Sequence, residues 1–196
     1  MKNKKEKDRK NKGDTASPLL KRQDSVLVVV DVQERLINHI YNHEKITVNV
    51  VKLIKFAGII GLPVVLTEQE KLGATVKEIK KELPGISPIT KIEFSACKCG
   101  EFINKLDELS RHNIILTGIE THICITQTAL ELLPYFNVHV VGDATSSRSL
   151  EDRDIAFDRL RQSGAVINST EMIMYELMER AGTEEFKKVL DLVKNK

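Results

Sequence analysis

A continuous apolar run, Val26-Leu27-Val28-Val29-Val30, stops abruptly at Asp31. It is apolar on both faces, which suits a strand in the middle of a parallel sheet. The period then changes. Ile46, Val50, Leu53, Ile54, Ala57 and Ile60 recur at helical spacing, and Gly61 and Pro63 end that helix. A second strand follows over 63–67. The alternation recurs further on: a strand over 113–117, Gly118, and a helix over about 122–133. Next come a strand over 138–141 and a helix over about 151–162, with Ser149 and Asp152 at capping-box spacing and Gly164 at its end. A short strand over 165–167 leads to a helix that starts near Asn168 and Glu171 and runs through Glu179. Thr183 caps a last helix with Phe186, Val189, Leu190 and Val193 on its apolar face.

Strands that alternate with helices imply right-handed crossovers and a parallel sheet covered on both faces, the α/β class. In such sheets a ligand sits beyond the carboxyl ends of the strands. The residues to inspect are therefore Asp31, 67–70, 118–124 and 143–147.

Composition changes this picture at one end. Residues 1–24 hold nine Lys or Arg against four Asp or Glu, with no aromatic residue. They lack the apolar surface that offsets ordering entropy, so they read as a disordered basic tail before a folded domain over 25–196. The tail carries +5 and the remainder −3. A mildly acidic domain argues against nucleic acid as a partner. No apolar run reaches the roughly 20 residues of a membrane span, which argues against a membrane partner. Three cysteines, Cys97, Cys99 and Cys124, are too few for a disulfide framework, so the expected compartment is the reducing cytoplasm. No glycine-rich turn follows the first strand, which counts against a nucleotide enzyme. His39 and His43 have metal-like spacing but no third ligand nearby.

Three residues carry candidate chemistry, each with a plainer alternative. Cys124 falls in the first turn of a helix after a strand, where helix-end N–H groups favour a thiolate; the alternative is a buried small hydrophobe. Asp31 at the sheet edge suits a general base, or a turn cap. Lys91 lies in Ile89-Thr90-Lys91-Ile92-Glu93-Phe94-Ser95, either half-buried beside a carboxylate or solvated. His122 is two residues before Cys124 and does not share its helix face. Cys97-Lys98-Cys99 lacks redox spacing and reads as two structural thiols.

Taken together, Val28-Val29-Val30-Asp31-Val32-Gln33, Thr90-Lys91-Ile92-Glu93-Phe94-Ser95 and Gly118-Ile119-Glu120-Thr121-His122-Ile123-Cys124 resemble the isochorismatase-like cysteine hydrolases. Asp143-Ala144-Thr145-Ser146-Ser147-Arg148-Ser149 and Arg161-Gln162-Ser163-Gly164-Ala165 resemble the branch of isochorismatase-domain-containing proteins. The resemblance implies a Rossmann-like three-layer α/β/α sandwich on a six-stranded parallel sheet, and homo-oligomers. It implies a triad of Asp31, Lys91 and Cys124, a cis peptide joining Ile119 and Glu120, and an oxyanion hole from the N–H groups of Ile123 and Cys124. Gln33, Glu68 and Phe94 are the candidate substrate contacts. The metal ligands of the family's nicotinamidases have no counterpart in Thr67-Glu68-Gln69-Glu70-Lys71-Leu72, so neither metal nor cofactor is expected. The implied activity is hydrolysis of a small amide-type C–N bond through a thioester on Cys124. The alternatives are an idle binding protein on the same fold, or a vinyl-ether hydrolase, whose family members lack the nucleophilic cysteine.

Overall fold

The computed structural model describes residues 19–194. Its centre is one six-stranded parallel sheet in the order β3-β2-β1-β4-β5-β6. The strands are β1 (Ser25–Val30), β2 (Val64–Gln69), β3 (Ile89–Lys91), β4 (Asn113–Ile119), β5 (Asn137–Ser146) and β6 (Val166–Asn168). The helices are α1 (Glu34–Ile37), α2 (His43–Ile60), α3 (Lys77–Lys80), α4 (Gly100–Leu109), α5 (Thr126–Leu132), α6 (Leu150–Gln162), α7 (Thr170–Met178) and α8 (Glu184–Lys194).

Alternating side chains of β1 build two separate cores. Leu27 and Val29 pack with Val50, Leu53 and Ile54 of α2, Ile173 and Leu177 of α7, and Val189 of α8. Val26, Val28 and Val30 pack on the other face with Phe102 and Leu106 of α4, Leu132 of α5, and Phe157 and Leu160 of α6. The period of two sends neighbours to opposite sides, and helices on both sides make the three-layer Rossmann-like sandwich. Burial of β1 on both faces explains why it reads as an unbroken apolar run.

The chain winds outward from β1 through β2 to β3, then returns to β4 and winds the other way. The reversal falls between β1 and β4, and in such sheets the usual ligand position lies beyond the carboxyl ends of the strands at that point. Strand backbones approach closely there. Gly118, at φ +117°, is the register partner of Val30, and a Cβ at Gly118 would stand 2.1 Å from the Val30 carbonyl oxygen.

Several elements differ from the pattern reading. β3 has three residues with Thr90 exposed, too short to show alternation. The expected helix over 122–133 begins as a wide π-helical turn, Thr121–Ile125, before α5. Ser169, not Asn168, caps α7 by accepting from the Met172 N–H, because Asn168 still belongs to β6. Thr183 does cap α8, accepting from the Phe186 N–H at 3.0 Å.

The boundary at residue 24 needs correcting. Leu20 is buried, its N–H donates to Glu176 at 3.2 Å, and Arg22 pairs with Glu185 at 3.1 Å. The folded part therefore includes residues 19–24, which pack on α7 and α8; the rest of the expected tail, 1–18, lies outside the described residues. On α7, Ile173 and Leu177 are core, while Met172 is exposed.

The tight meeting of β1 and β4 yields a stability prediction. Gly118→Ala should destabilise the fold by about 3 kcal/mol, since it combines left-handed backbone with a clash against main chain that cannot move aside. Urea denaturation checks this; a loss under 1 kcal/mol would mean that the strands separate freely.

Candidate active site

Four strands deliver the site. Asp31 follows β1, Thr67 and Gln69 lie on β2, Lys91 ends β3, and Cys124 sits in the π-helical turn after β4. Lys91 is a strand beyond β2, and its side chain reaches back across β2 to Asp31. Nζ stands 2.6 Å from Asp31 Oδ2, with both side chains fully buried. Asp31 has φ +53° and its N–H donates to the Thr67 carbonyl at 3.2 Å.

Both charges are clothed in polar groups. Thr67 Oγ1 donates to Asp31 Oδ1 at 2.7 Å. Oδ2 is buried against the ammonium with no hydroxyl or amide donor of its own. Lys91 Nζ also donates to Gln69 Oε1 at 2.7 Å and to the carbonyls of Glu93 and Phe94 at 3.2 and 3.3 Å, and Cys124 Sγ lies 3.8 Å away. Such groups satisfy a buried ion that burial alone would penalise. The loop after β3 is thus wrapped round the ammonium, leaving Ile92 and Phe94 exposed on its outer side.

The Cys124 thiol is pushed up to about 12. Burial is the main cause, followed by the Asp31 carboxylate, and these outweigh the Lys91 charge and the Glu120 backbone. The helix-end N–H groups that favour a thiolate are thus outweighed, and at rest Cys124 is a thiol beside Asp31. Cys97 rises to about 11, mainly through burial, and its Sγ lies 3.6 Å from the Thr128 carbonyl. Cys99 Sγ lies 3.7 Å from the Thr90 carbonyl. All three cysteines are free.

The other proposed residues fare differently. The Ile119–Glu120 peptide is cis. The Ile123 N–H donates to the Glu120 carbonyl at 3.2 Å, so it is engaged in this structure rather than directed at a ligand. Gln33 is a loop clamp: Nε2 donates to the carbonyls of Gln69 and Gly73 at 3.0 and 2.6 Å, and Oε1 accepts from the Gln69 N–H at 2.8 Å. Its amide hydrogens are both used, which removes it as a substrate contact. Glu68 points to the far side of β2, where Oε1 accepts from the N–H and hydroxyl of Thr75, both at 2.7 Å. Phe94 meets the site through its carbonyl, with its ring exposed.

Thr67 and Gln69 are the residues that motif reading passed over. Their signal was position: two residues apart at the end of β2, they share the face that meets Asp31 and Lys91. Around the cysteine turn, Glu120 Oε2 accepts from the Arg148 N–H and Nε at 3.0 and 3.1 Å. His122 Nδ1 lies 2.9 Å from Ser147 Oγ, away from Cys124. Among the described residues, no group of three or more His, Cys, Asp or Glu is placed to hold a metal ion.

Comparison with known proteins decides the family. The family model described as "Isochorismatase domain" matches residues 25–172. This chain belongs to the isochorismatase family. The "Secreted isochorismatase effector Isc1" of Phytophthora sojae is 37% identical over 185 residues, covering 87% of this chain and 84% of that protein. The "Isochorismatase domain-containing protein 2" of Bos taurus is 38% identical over 174 residues, covering 87% and 83%. The structure of the MAR1 ribonuclease from Caenorhabditis elegans superposes with a TM-score of 0.85 at 36% identity, covering 90% of this chain and 93% of that one. The chain thus has the isochorismatase-family hydrolase fold, and the resemblance to the isochorismatase-domain-containing proteins holds across the domain.

The raised thiol makes stability depend on pH. An unfolded cysteine ionises near about 8.5, while folded Cys124 keeps its proton up to about 12. Its contribution is full below the unfolded value and is lost as pH rises through that window. Between pH 8 and pH 10 the wild type should lose about 1–2 kcal/mol more than Cys124→Ser, read from urea midpoints at each pH. Equal losses in the two proteins would contradict a protonated resting thiol.

Proposed function

We propose that the chain is a cysteine hydrolase that cleaves a small amide-type C–N bond through a thioester on Cys124. The observation that carries this reading is the buried cluster of Asp31, Lys91 and Cys124 at the carboxyl edge of the sheet. A nucleophile, a base and a fixed cation held side by side are what amide cleavage requires.

In the proposed reaction, Asp31 takes the thiol proton as Sγ attacks the carbonyl carbon. Lys91 holds Asp31 in place and offsets the charge that develops on sulfur. The Cys124 N–H serves the oxyanion, and the Ile123 N–H joins it by releasing its long bond to the Glu120 carbonyl. Collapse breaks the C–N bond, and protonated Asp31 returns its proton to the leaving amine. Water then attacks the thioester, giving a proton to Asp31; the C–S bond breaks, acid leaves, and Asp31 returns the proton to sulfur. The resting pair is neutral thiol and carboxylate, so proton transfer coincides with attack.

A vinyl-ether reaction would leave Cys124 without a task. The ribonuclease name of the Caenorhabditis elegans relative suggests an RNA phosphodiester instead. Against it, the Lys91 ammonium is already committed to Asp31, Gln69 and two carbonyls and offers no free charge to a phosphate. An idle binding protein would need neither a buried charge pair nor a thiol beside it. We further propose a cytoplasmic protein, on its three free thiols. The relative named a secreted effector makes fractionation the deciding test. Self-association is proposed through exposed Met172 and Tyr175 of α7 with Leu19 beside them, read by light scattering.

The test is a screen of small amides, with short RNA as the rival substrate. Cys124→Ala should lower kcat/KM for the best amide by a factor of about 10³ or more, and Asp31→Asn by about 10²–10⁴. Lys91→Met should lose activity and about 3–5 kcal/mol of stability, because it leaves a buried carboxylate unpaired. Turnover of RNA that survives Cys124→Ala, with no amide cleaved, would overturn the reading.

A further inference from the structure

Thr67 touches Asp31 in two independent ways. Its carbonyl accepts the Asp31 N–H at 3.2 Å, and its hydroxyl donates to Asp31 Oδ1 at 2.7 Å. The residue is fully buried in β2, in register with Val30 on one side and Ile89 on the other. A carboxylate oxygen is a stronger acceptor than a carbonyl, and the direction of the Thr67 hydroxyl is fixed by strands on both sides. The effect is to make the two oxygens of Asp31 unequal: Oδ1 receives a hydroxyl, and Oδ2 faces the ammonium.

We propose that Thr67 is a positioning residue that pins Asp31 Oδ1 and so fixes the carboxylate that exchanges a proton with Cys124. This rests on the reading of Asp31 as the base. A donated hydrogen bond stabilises a carboxylate over its protonated form. Thr67 therefore also sets how readily Asp31 gives up the proton it has taken, beyond holding its orientation. The titratable groups in contact with Asp31 are Lys91 from β3 and Cys124 from the turn after β4. Nearby Glu120 is paired with Arg148, Glu68 with Thr75, and His122 with Ser147, so they stay outside the exchange.

The test needs no substrate. A neutral alkylating agent such as iodoacetamide is applied over a range of pH, and modification of the Cys124 peptide is followed by mass spectrometry. With Asp31 as base, the wild-type rate has an acid limb that disappears in Asp31→Asn. Thr67→Val, which keeps shape but loses the donor, should move that limb to higher pH by about one unit. Thr67→Ser, which keeps the donor, should leave it in place. Thr67→Ala carries the same expectation as Thr67→Val should the latter fold poorly. A purely structural role would change the melting temperature of these variants without moving the limb. An unmoved limb in both Thr67→Val and Thr67→Ala, with the limb still lost in Asp31→Asn, would overturn the inference while leaving the base reading intact. A limb that persists in Asp31→Asn would instead overturn the base reading itself.

Discussion

The buried contact between Asp31 and Lys91 is the constraint around which this sheet edge is organised. Two full charges lie 2.6 Å apart with no exposure of either side chain. Removing each ion from water costs several kcal/mol, and the attraction between them offsets this only when the remaining polar valences are satisfied. The fold supplies those partners from three places. Thr67 serves the carboxylate, Gln69 serves the ammonium, and the loop after β3 turns two carbonyls inward. Gln33 in turn fixes Gln69 by bonding its N–H and carbonyl. A pair replaced by apolar side chains would often cost the fold nothing, so its presence fits a chemical purpose better than a stabilising one.

Topology puts that pair where it is useful. The winding reverses between β1 and β4, so Asp31 and the cysteine turn leave adjacent strands at the same end and meet beside Lys91. Gly118 lets the two strands close at that point. β2 then acts as a jig. Alternate residues Thr67 and Gln69 hold the Asp31 carboxylate and the Lys91 ammonium, while Glu68 between them ties down the loop on the other side. The cysteine enters this charged surrounding as a thiol, because burial and the carboxylate outweigh the ammonium. In the proposed mechanism this reserves ionisation for the moment of attack.

Much of the arrangement was legible in the chain. The apolar run ending at Asp31, Gly118 near the end of β4 and the capping Ser149 each reflect a local constraint: a doubly buried strand, a close backbone approach and an orphaned helix N–H. Alternation of strand and helix was enough for the α/β class, while six strands came only with the family resemblance. β3 escaped pattern reading because three residues with an exposed centre carry no period. The roles of Gln33 and Glu68 escaped it because a polar side chain in a loop reads the same whether it binds substrate or backbone. For Cys124, helix-end position is visible in sequence, whereas its depth is not. Leu20 stayed hidden in a charged segment because a single apolar residue gives no periodicity.

The central claim is that Cys124 carries the acyl group. Rapid-quench mass spectrometry during turnover of a small activated amide, such as an acyl anilide, tests it most directly. The account predicts a transient gain of the acyl mass on the peptide containing Cys124, formed before steady-state product and absent from the peptide containing Cys97 and Cys99. Turnover with no adduct on Cys124, continuing undiminished in Cys124→Ala, would contradict it.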